Sequence, residues 1–218
     1  RVSSSPAMVR GNLAEFGAYY KIKKGMQQKD DKYFEKLIIH KFKKNKFFSD
    51  DSEIFNAINI AKKFEEKLYE RQLRNIVSYQ KEKVEKLEGL KYPVRLFTDF
   101  EYDNIIVDLK STLRMPTKPK IDHIRQQALY SKVHNKPIAL LYATPKKTLW
   151  YDLTEEDVQK GYDELLSDFK SLENYIDMCK NNLENAIKIT PLNTDPSPFY
   201  WDKNIQQAAT KIWRNVNK

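Results

Sequence analysis

Asp99, Asp108 and Lys110 stand in the stretch TDFEYDNIIVDLKS, residues 98–111. A two-residue reversal at Asp103 and Asn104, which both residue types tolerate, would set Tyr102 opposite Ile105, Phe100 opposite Val107 and Thr98 opposite Leu109. Asp99 then lies directly opposite Asp108. Lys110 shares their face, because strand side chains repeat every two residues. Like charges directly opposite destabilise a sheet, and each carboxylate raises the other's proton affinity unless something positive lies between them. A divalent cation does that best: two carboxylates, a backbone oxygen and waters make the oxygen-only set that Mg²⁺ prefers. Lys110 adds a fixed positive charge that could orient or help deprotonate an attacking water, or neutralise a phosphate. The same alternation also suits a solvent-facing strand with ordinary surface charges, and a slip or bulge would break the opposition.

The elements that must position these residues are readable from periodicity. Helices are predicted over 8–23, with Leu13, Phe16 and Tyr20 on an apolar side, and over 32–44, with Phe34, Leu37, Ile38 and Phe42. The stretch SDDSE starts a third helix, with Ser49 or Asp50 as cap. Its apolar positions run from Ile54 to Leu68 and on to Leu73 and Ile76, with one break before Tyr79. The period then changes. Residues 82–88 read as an exposed strand, Gly89 as a turn, 94–102 and 104–111 as two strands, and the proline-bearing MPTKPK as a loop. A helix over 121–134 and strands over 138–144 and 148–153 follow. The box TEED puts Thr154 at a cap and Asp157 at its third position, opening a helix to about residue 188. PLNTDPSP separates it from a last helix over 202–216. The strand–helix–strand step through 104–144 calls for a crossover, hence an α/β fold with a mixed sheet. Length suits one domain: a helical part over 8–78, the sheet and crossover helix over 79–153 and a helical part over 154–218.

Composition narrows the chemistry. There are 218 residues with a formal net charge of +9, which suits either solubility or attraction to a polyanion. One cysteine, Cys179, rules out an internal disulfide framework and a cysteine-built zinc or iron–sulfur site. It fits a reducing, cytoplasmic setting. His40, His123 and His134 lack zinc-ligand spacing. No apolar run approaches the ~18 residues of a membrane span, and no secretory signal is visible. The chain opens at Arg1, the start expected of a fragment or a processed product.

Asp99, eight residues, then Asp108-Leu109-Lys110 resembles the core of the PD-(D/E)XK nuclease superfamily, and more narrowly its RecB-like exonuclease branch with phage-encoded members. That branch is similar in carrying Gln-x-x-x-Tyr on a helix after the catalytic strands, here Gln126-Gln127-Ala128-Leu129-Tyr130. It also carries a glutamate shortly after a glycine on an early helix, here Gly11 and Glu15. The resemblance covers residues 8–20 and 79–153. It implies a restriction-endonuclease-like core and Mg²⁺, with Mn²⁺ able to substitute. The cluster-bearing members' four cysteines are absent, which implies no iron–sulfur cluster.

The resemblance further implies that Asp99 and Asp108 are primary metal ligands, joined by the Leu109 carbonyl and by Glu15, directly or through water. Lys110 would position the nucleophilic water. Gln126 and Tyr130 share a helix face with His123, three residues earlier, and could hold a catalytic water or a phosphate. Arg10, Arg114, Lys118, Lys120, His123, Arg125, Lys146 and Lys147 are candidate phosphate contacts, as is the run HKFKKNK at 40–46. Phe199, Tyr200 and Trp201 could stack on bases or pin the last helix. The expectation is a Mg²⁺-dependent DNA exonuclease in phage replication, recombination, repair or DNA breakdown. Its partners would be DNA and phage or host recombination or replication proteins, with no membrane. A structure-specific endonuclease with the same site, a non-catalytic nucleic-acid-binding protein on a nuclease fold, and a structural protein with incidental charge are the alternatives.

Overall fold

The computed structural model describes residues 5–25, 31–44 and 51–179, together with 182, 184, 185 and 207. Helices α1 (Pro6–Lys24), α2 (Asp31–Lys44) and α3 (Asp51–Glu70) precede strands β1 (Ser78–Glu85), β2 (Val94–Glu101) and β3 (Ile106–Ser111). Helix α4 (Ile121–His134), strands β4 (Ile138–Ala143) and β5 (Thr148–Asp152) and helix α5 (Glu155–Cys179) follow. The five strands lie in chain order, antiparallel except for β3 and β4, which run parallel. A parallel pair needs a crossover, and α4 supplies it. The fold is therefore α/β, a mixed sheet with flanking helices.

Local chemistry explains the helix ends. Ser5 Oγ accepts from the Met8 N–H at 3.3 Å ahead of Pro6, and α1 ends at Gly25, whose φ of 58° suits a left-handed cap. The expected box at α5 forms in both directions: the Thr154 N–H donates to Asp157 Oδ2 and the Asp157 N–H to Thr154 Oγ1, each at 3.1 Å.

Several boundaries differ from the sequence reading. The third helix stops at Glu70, and Gln72 turns the chain at φ 61°, although Leu73 and Ile76 still pack on the core. Helix α5 is described over Glu155–Cys179, and its expected continuation to about 188 lies largely outside the described residues. Strand β1 covers 78–85 instead of 82–88. Gln80 has φ 47°, and β1 pairs with β2 on either side of it but not at it. The register is the same on both sides of that interruption, and Gln80, Lys81 and Glu82 are all exposed, so the strand's first half offers no alternation to read. The expected cap at Ser49 or Asp50, Lys46, Phe199, Tyr200, Trp201 and the last helix apart from Gln207 lie outside the described residues, as do the side chains of Lys43 and Lys44.

One sheet face, with Phe100, Val107, Leu109, Leu141 and Ala143, is buried with α1 and α3 in the main core. Gly17 lets the N-terminal helices close up: a Cβ there would stand 2.9 Å from Ala61 Cβ and 3.0 Å from the Phe34 ring. The opposite face carries Ile106, Ile138 and Leu140, all buried, and also Asp99, Asp108 and Lys110.

The chain divides into two compact units. The larger comprises Ser4–Leu87 and Pro93–Leu166, and holds the whole sheet. The other includes Glu88–Tyr92 and the chain from Ser167. In it, Glu173 Oε1 accepts the N–H groups of Lys91 and Tyr92 at 2.7 and 2.8 Å, and Lys91 pairs with Asp177. Among the described residues, no helix is long and apolar enough to cross a membrane.

Candidate active site

The expected hairpin register is present. Phe100 pairs with Val107, and the Tyr102 N–H donates to the Ile105 carbonyl at 2.9 Å. Pairing between β2 and β3 then stops. The next hydrogen-bonded pair would join Thr98 and Leu109. Instead, the Leu109 N–H donates to Asp99 Oδ2 at 3.0 Å. The N–H and C=O of one strand residue point the same way, so the Leu109 carbonyl also faces this gap. On its other side, Asp99 meets the interruption at Gln80. Both neighbours of β2 therefore release it at the same residue.

Into that opening come four charges. Lys110 Nζ lies 2.7 Å from Asp108 Oδ2. Glu15, one turn beyond Gly11 on α1, accepts a hydrogen bond from Gln80 Nε2 at 2.9 Å. Burial, then the charges of Asp108 and Glu15, push the Asp99 carboxyl well above the usual aspartate range. Burial also pushes Glu15 up to about 7, with Asp108 adding to it against the Gln80 hydrogen bond. Burial alone would lower the Lys110 ammonium, but Asp108 and Asp99 outweigh it and hold it above its ordinary value. Lys110 is thus kept as a cation. Of the roles open to it from sequence, orienting water or neutralising phosphate suits that state, and taking up a proton does not.

Helix α4 closes the far side. Lys110 Nζ donates to Gln126 Oε1 at 3.3 Å, and Gln126 Nε2 donates to the Tyr130 hydroxyl at 2.9 Å. The Gln-x-x-x-Tyr pair therefore forms a chain onto the lysine, with the amide orientation fixed by both bonds. His123 Nδ1 is 2.7 Å from the Tyr142 hydroxyl. A cleft of about 460 Å³ is lined by Gly11, Glu15, Asp99, Leu109, Lys110 and Ser111, and by Arg114, Lys120, His123 and Tyr142.

The candidate cations separate into distinct groups. Arg114 and Lys120 line the cleft, and Lys118 is exposed between them in sequence. Lys146 and Lys147 are exposed on the turn from β4 to β5, outside the cleft lining. Arg125 is committed to Glu164 at 2.7 Å. Arg10 is 6% exposed, and one of its guanidinium nitrogens reaches both oxygens of Glu53 at 2.7 and 2.9 Å. Arg10, expected as a phosphate contact, here ties α1 to α3. Its carboxylate partner lies 43 residues away, and nothing in the local sequence announces the pairing.

Gln80, Tyr142 and Ser111 belong to the site and escaped the sequence reading. Gln80 sits at an irregular backbone position that periodicity cannot locate. Tyr142 is legible only in retrospect, since it pairs with Lys110 across the parallel strands inside the apolar run IALLYA.

Among the described residues, no three His, Cys, Asp or Glu side chains stand in a cluster ready to hold a metal. Each acid has another partner: Asp99 the Leu109 N–H, Asp108 the Lys110 ammonium, Glu15 the Gln80 amide. The donor set nevertheless fits a hard cation. Asp108 Oδ2 is buried with no hydrogen-bond donor in suitable geometry, the ion pair notwithstanding. Burial and like charge hold Asp99 and Glu15 toward neutrality, and the Leu109 carbonyl faces the same opening.

No protein-family model and no curated protein matches the chain. Among solved structures, the crystal structure of SSO0001 aligns over 70% of this chain and 85% of its own, at 17% sequence identity and a TM-score of 0.36.

Proposed function

We propose that this protein is a metal-dependent deoxyribonuclease of the PD-(D/E)XK type, with a restriction-endonuclease-like core and a RecB-like site, acting as an exonuclease. The observation that supports it best is the meeting of Asp99 and Asp108 where β2 and β3 part, with Lys110 paired to one acid and the Leu109 backbone bound to the other. Asp99, Asp108, Glu15 and the Leu109 carbonyl would hold Mg²⁺ or Mn²⁺. The bound ion would supply Lewis-acid stabilisation of charge on a phosphate and a water of lowered pKa.

The chain's own residues do the rest. Lys110 presents a permanent cation where negative charge grows on phosphorus during phosphodiester hydrolysis, and a fixed charge in a partly buried cleft acts more strongly there than in water. Gln126 steers that ammonium, and Tyr130 steers Gln126. Gln80 keeps Glu15 over the opening. Arg114, Lys118 and Lys120 would hold the strand by its phosphates, giving affinity without sequence readout. Phage or host replication, recombination or repair would use such an activity.

The test is incubation of purified protein with end-labelled linear and closed circular DNA, with and without Mg²⁺. Mg²⁺-dependent release of nucleotides from ends alone is the expected result. Cutting of circles would reassign the protein as an endonuclease. DNA binding without any Mg²⁺-dependent product would leave a nucleic-acid-binding protein on this fold.

A further inference from the structure

His123 occupies the first turn of α4 and lines the cleft beside Tyr142, with ring centroids 5.7 Å apart and planes inclined by 29°. Tyr142 pairs in register with Lys110, which places its phenol in the row next to the ammonium. The phenolic oxygen already accepts the Lys120 backbone N–H at 3.3 Å. A tyrosine hydroxyl has one proton to give, and the neighbour at 2.7 Å able to take it is His123 Nδ1. With Tyr142 donating, both the phenol and Nδ1 are satisfied, and the imidazole proton resides on Nε2. If Nδ1 carried the proton instead, the tyrosine O–H would have no acceptor among the described residues. Burial, then the charge of Lys110, lower the imidazole's proton affinity, which keeps the ring neutral, with one donor and one acceptor nitrogen. Nε2–H has no hydrogen-bond partner among the described residues, and Arg114, Lys120 and Lys110 line the same cleft.

We propose that Tyr142 fixes His123 as its Nε2–H form so that the ring donates one hydrogen bond to a phosphate oxygen of the bound strand. The assignment rests on the nuclease reading. It makes His123 a substrate-contacting residue and Tyr142 a positioning residue that acts through it. It also gives the cleft a directional, uncharged donor, which lysines and arginines on long flexible stems do not provide.

Two measurements test it on the full chain. Long-range ¹H–¹⁵N spectra of the imidazoles report the tautomer directly. With three histidines in the chain, His123→Gln identifies the relevant signals. The wild type is expected to show the Nε2–H form, and Tyr142→Phe a mixture. An Nδ1–H form in the wild type would overturn the proposal. Single-turnover cleavage of end-labelled DNA with Mg²⁺ is the second readout. Loss of a hydrogen bond to a charged group corresponds to about tenfold or more, so His123→Ala should fall by that factor. Glutamine places an amide N–H near the reach of Nε2, whereas asparagine matches Nδ1. His123→Gln should therefore recover most of the rate and His123→Asn should not, with melting curves showing each variant folded. Full activity in His123→Ala, or equal recovery by asparagine and glutamine, would overturn the assignment while leaving the nuclease reading intact. A wild-type protein that cleaves no DNA would remove both.

Discussion

The Leu109 backbone N–H donates to the Asp99 carboxylate at 3.0 Å, a bond that a continued ladder would give to the Thr98 carbonyl. The acid has taken a backbone acceptor's place. That exchange opens the sheet between β2 and β3, keeps both strands in register below the opening, and leaves polar backbone at its edge. An acidic residue in a central strand normally weakens a sheet. Here the hydrogen bond from Leu109 opposes that cost without cancelling it, since burial and the neighbouring acids still hold the Asp99 carboxyl well above the usual range, and the opening becomes the place where Glu15, Asp108 and Lys110 converge.

Asp108→Asn should abolish cleavage, by at least about 10²-fold, since fixed charge at a site of this kind is worth that much or more. Folding should survive, because asparagine is isosteric and retains an oxygen beside Lys110. The diagnostic measurement is the melting temperature with and without Mg²⁺. A ligand that binds only the folded state raises stability by mass action. Millimolar Mg²⁺ should therefore raise the wild-type melting temperature and leave that of Asp108→Asn unchanged. Equal Mg²⁺ responses in the two proteins would count against metal binding by this acid.

Arg10 and Lys118 should respond in opposite ways to alanine. Arg10 is buried and paired with the half-buried Glu53, so Arg10→Ala removes a charge-assisted hydrogen bond between α1 and α3 and should lower stability by about 1–3 kcal/mol. Lys118 is exposed, so Lys118→Ala should leave melting unchanged. With Arg114→Ala and Lys120→Ala it should weaken DNA binding. The dependence of log affinity on log salt should flatten by about 0.9 for every phosphate that is no longer neutralised. Filter binding across a salt series, beside thermal melts, separates the two behaviours.

The contrast between Asp99 and Gln80 shows what the sequence could and could not disclose. The strand pair around Asp103-Asn104 is local, and alternation alone sets Phe100 against Val107 and puts Asp99, Asp108 and Lys110 on one face. Helix α4 is legible to the residue, because Asn135 can take the left-handed cap (φ 50°) and apolar spacing is unbroken before it. Gln80 is invisible because nothing in its local sequence marks the left-handed backbone at which pairing is interrupted. The pairing of Arg10 with Glu53 is not legible, because its charge looks available until α3 is folded beside it. Chemistry written within ten or so residues was readable from alternation, Glu15 and Gln126 were named only through the resemblance, and the pairings of Gln80 and Arg10 with distant partners were not foreseen.

Glu101 should govern part of the acid stability. Burial alone would raise its carboxyl, but Lys136 at 2.7 Å and Ser78 at 2.7 Å outweigh it, with His134 at 3.8 Å adding charge, and the net shift is below the ordinary 4.5. A carboxylate lowered by folding stabilises the protein above its unfolded pKa, and that contribution is lost as pH falls through the folded value. Glu101→Gln should therefore melt lower than wild type at neutral pH, and the difference should shrink between about pH 5 and pH 3. A constant difference across that range would exclude the charge as its cause.

Gly11 should separate packing from helix propensity. A Cβ there would meet Ser111 Oγ at 3.0 Å, so α1 lies against the end of β3 one turn before Glu15. The obstructing atom is the end of a small side chain that can rotate away. Alanine gains about 1 kcal/mol over glycine in a helix, so Gly11→Ala should melt at or above wild type with activity retained. Valine adds branches that a rotated hydroxyl cannot clear. Overpacking of this kind costs about 1–3 kcal/mol, and it would lift the helix from the strand, carrying Glu15 away from Asp99 and Asp108. Gly11→Val should therefore lose Mg²⁺-dependent cleavage by more than its melting temperature explains, and adding Ser111→Gly should return both. If the double variant regains stability but not cleavage, Glu15 is not placed by this contact. If Gly11→Val is indistinguishable from wild type, α1 does not need to approach β3 closely for the site to work.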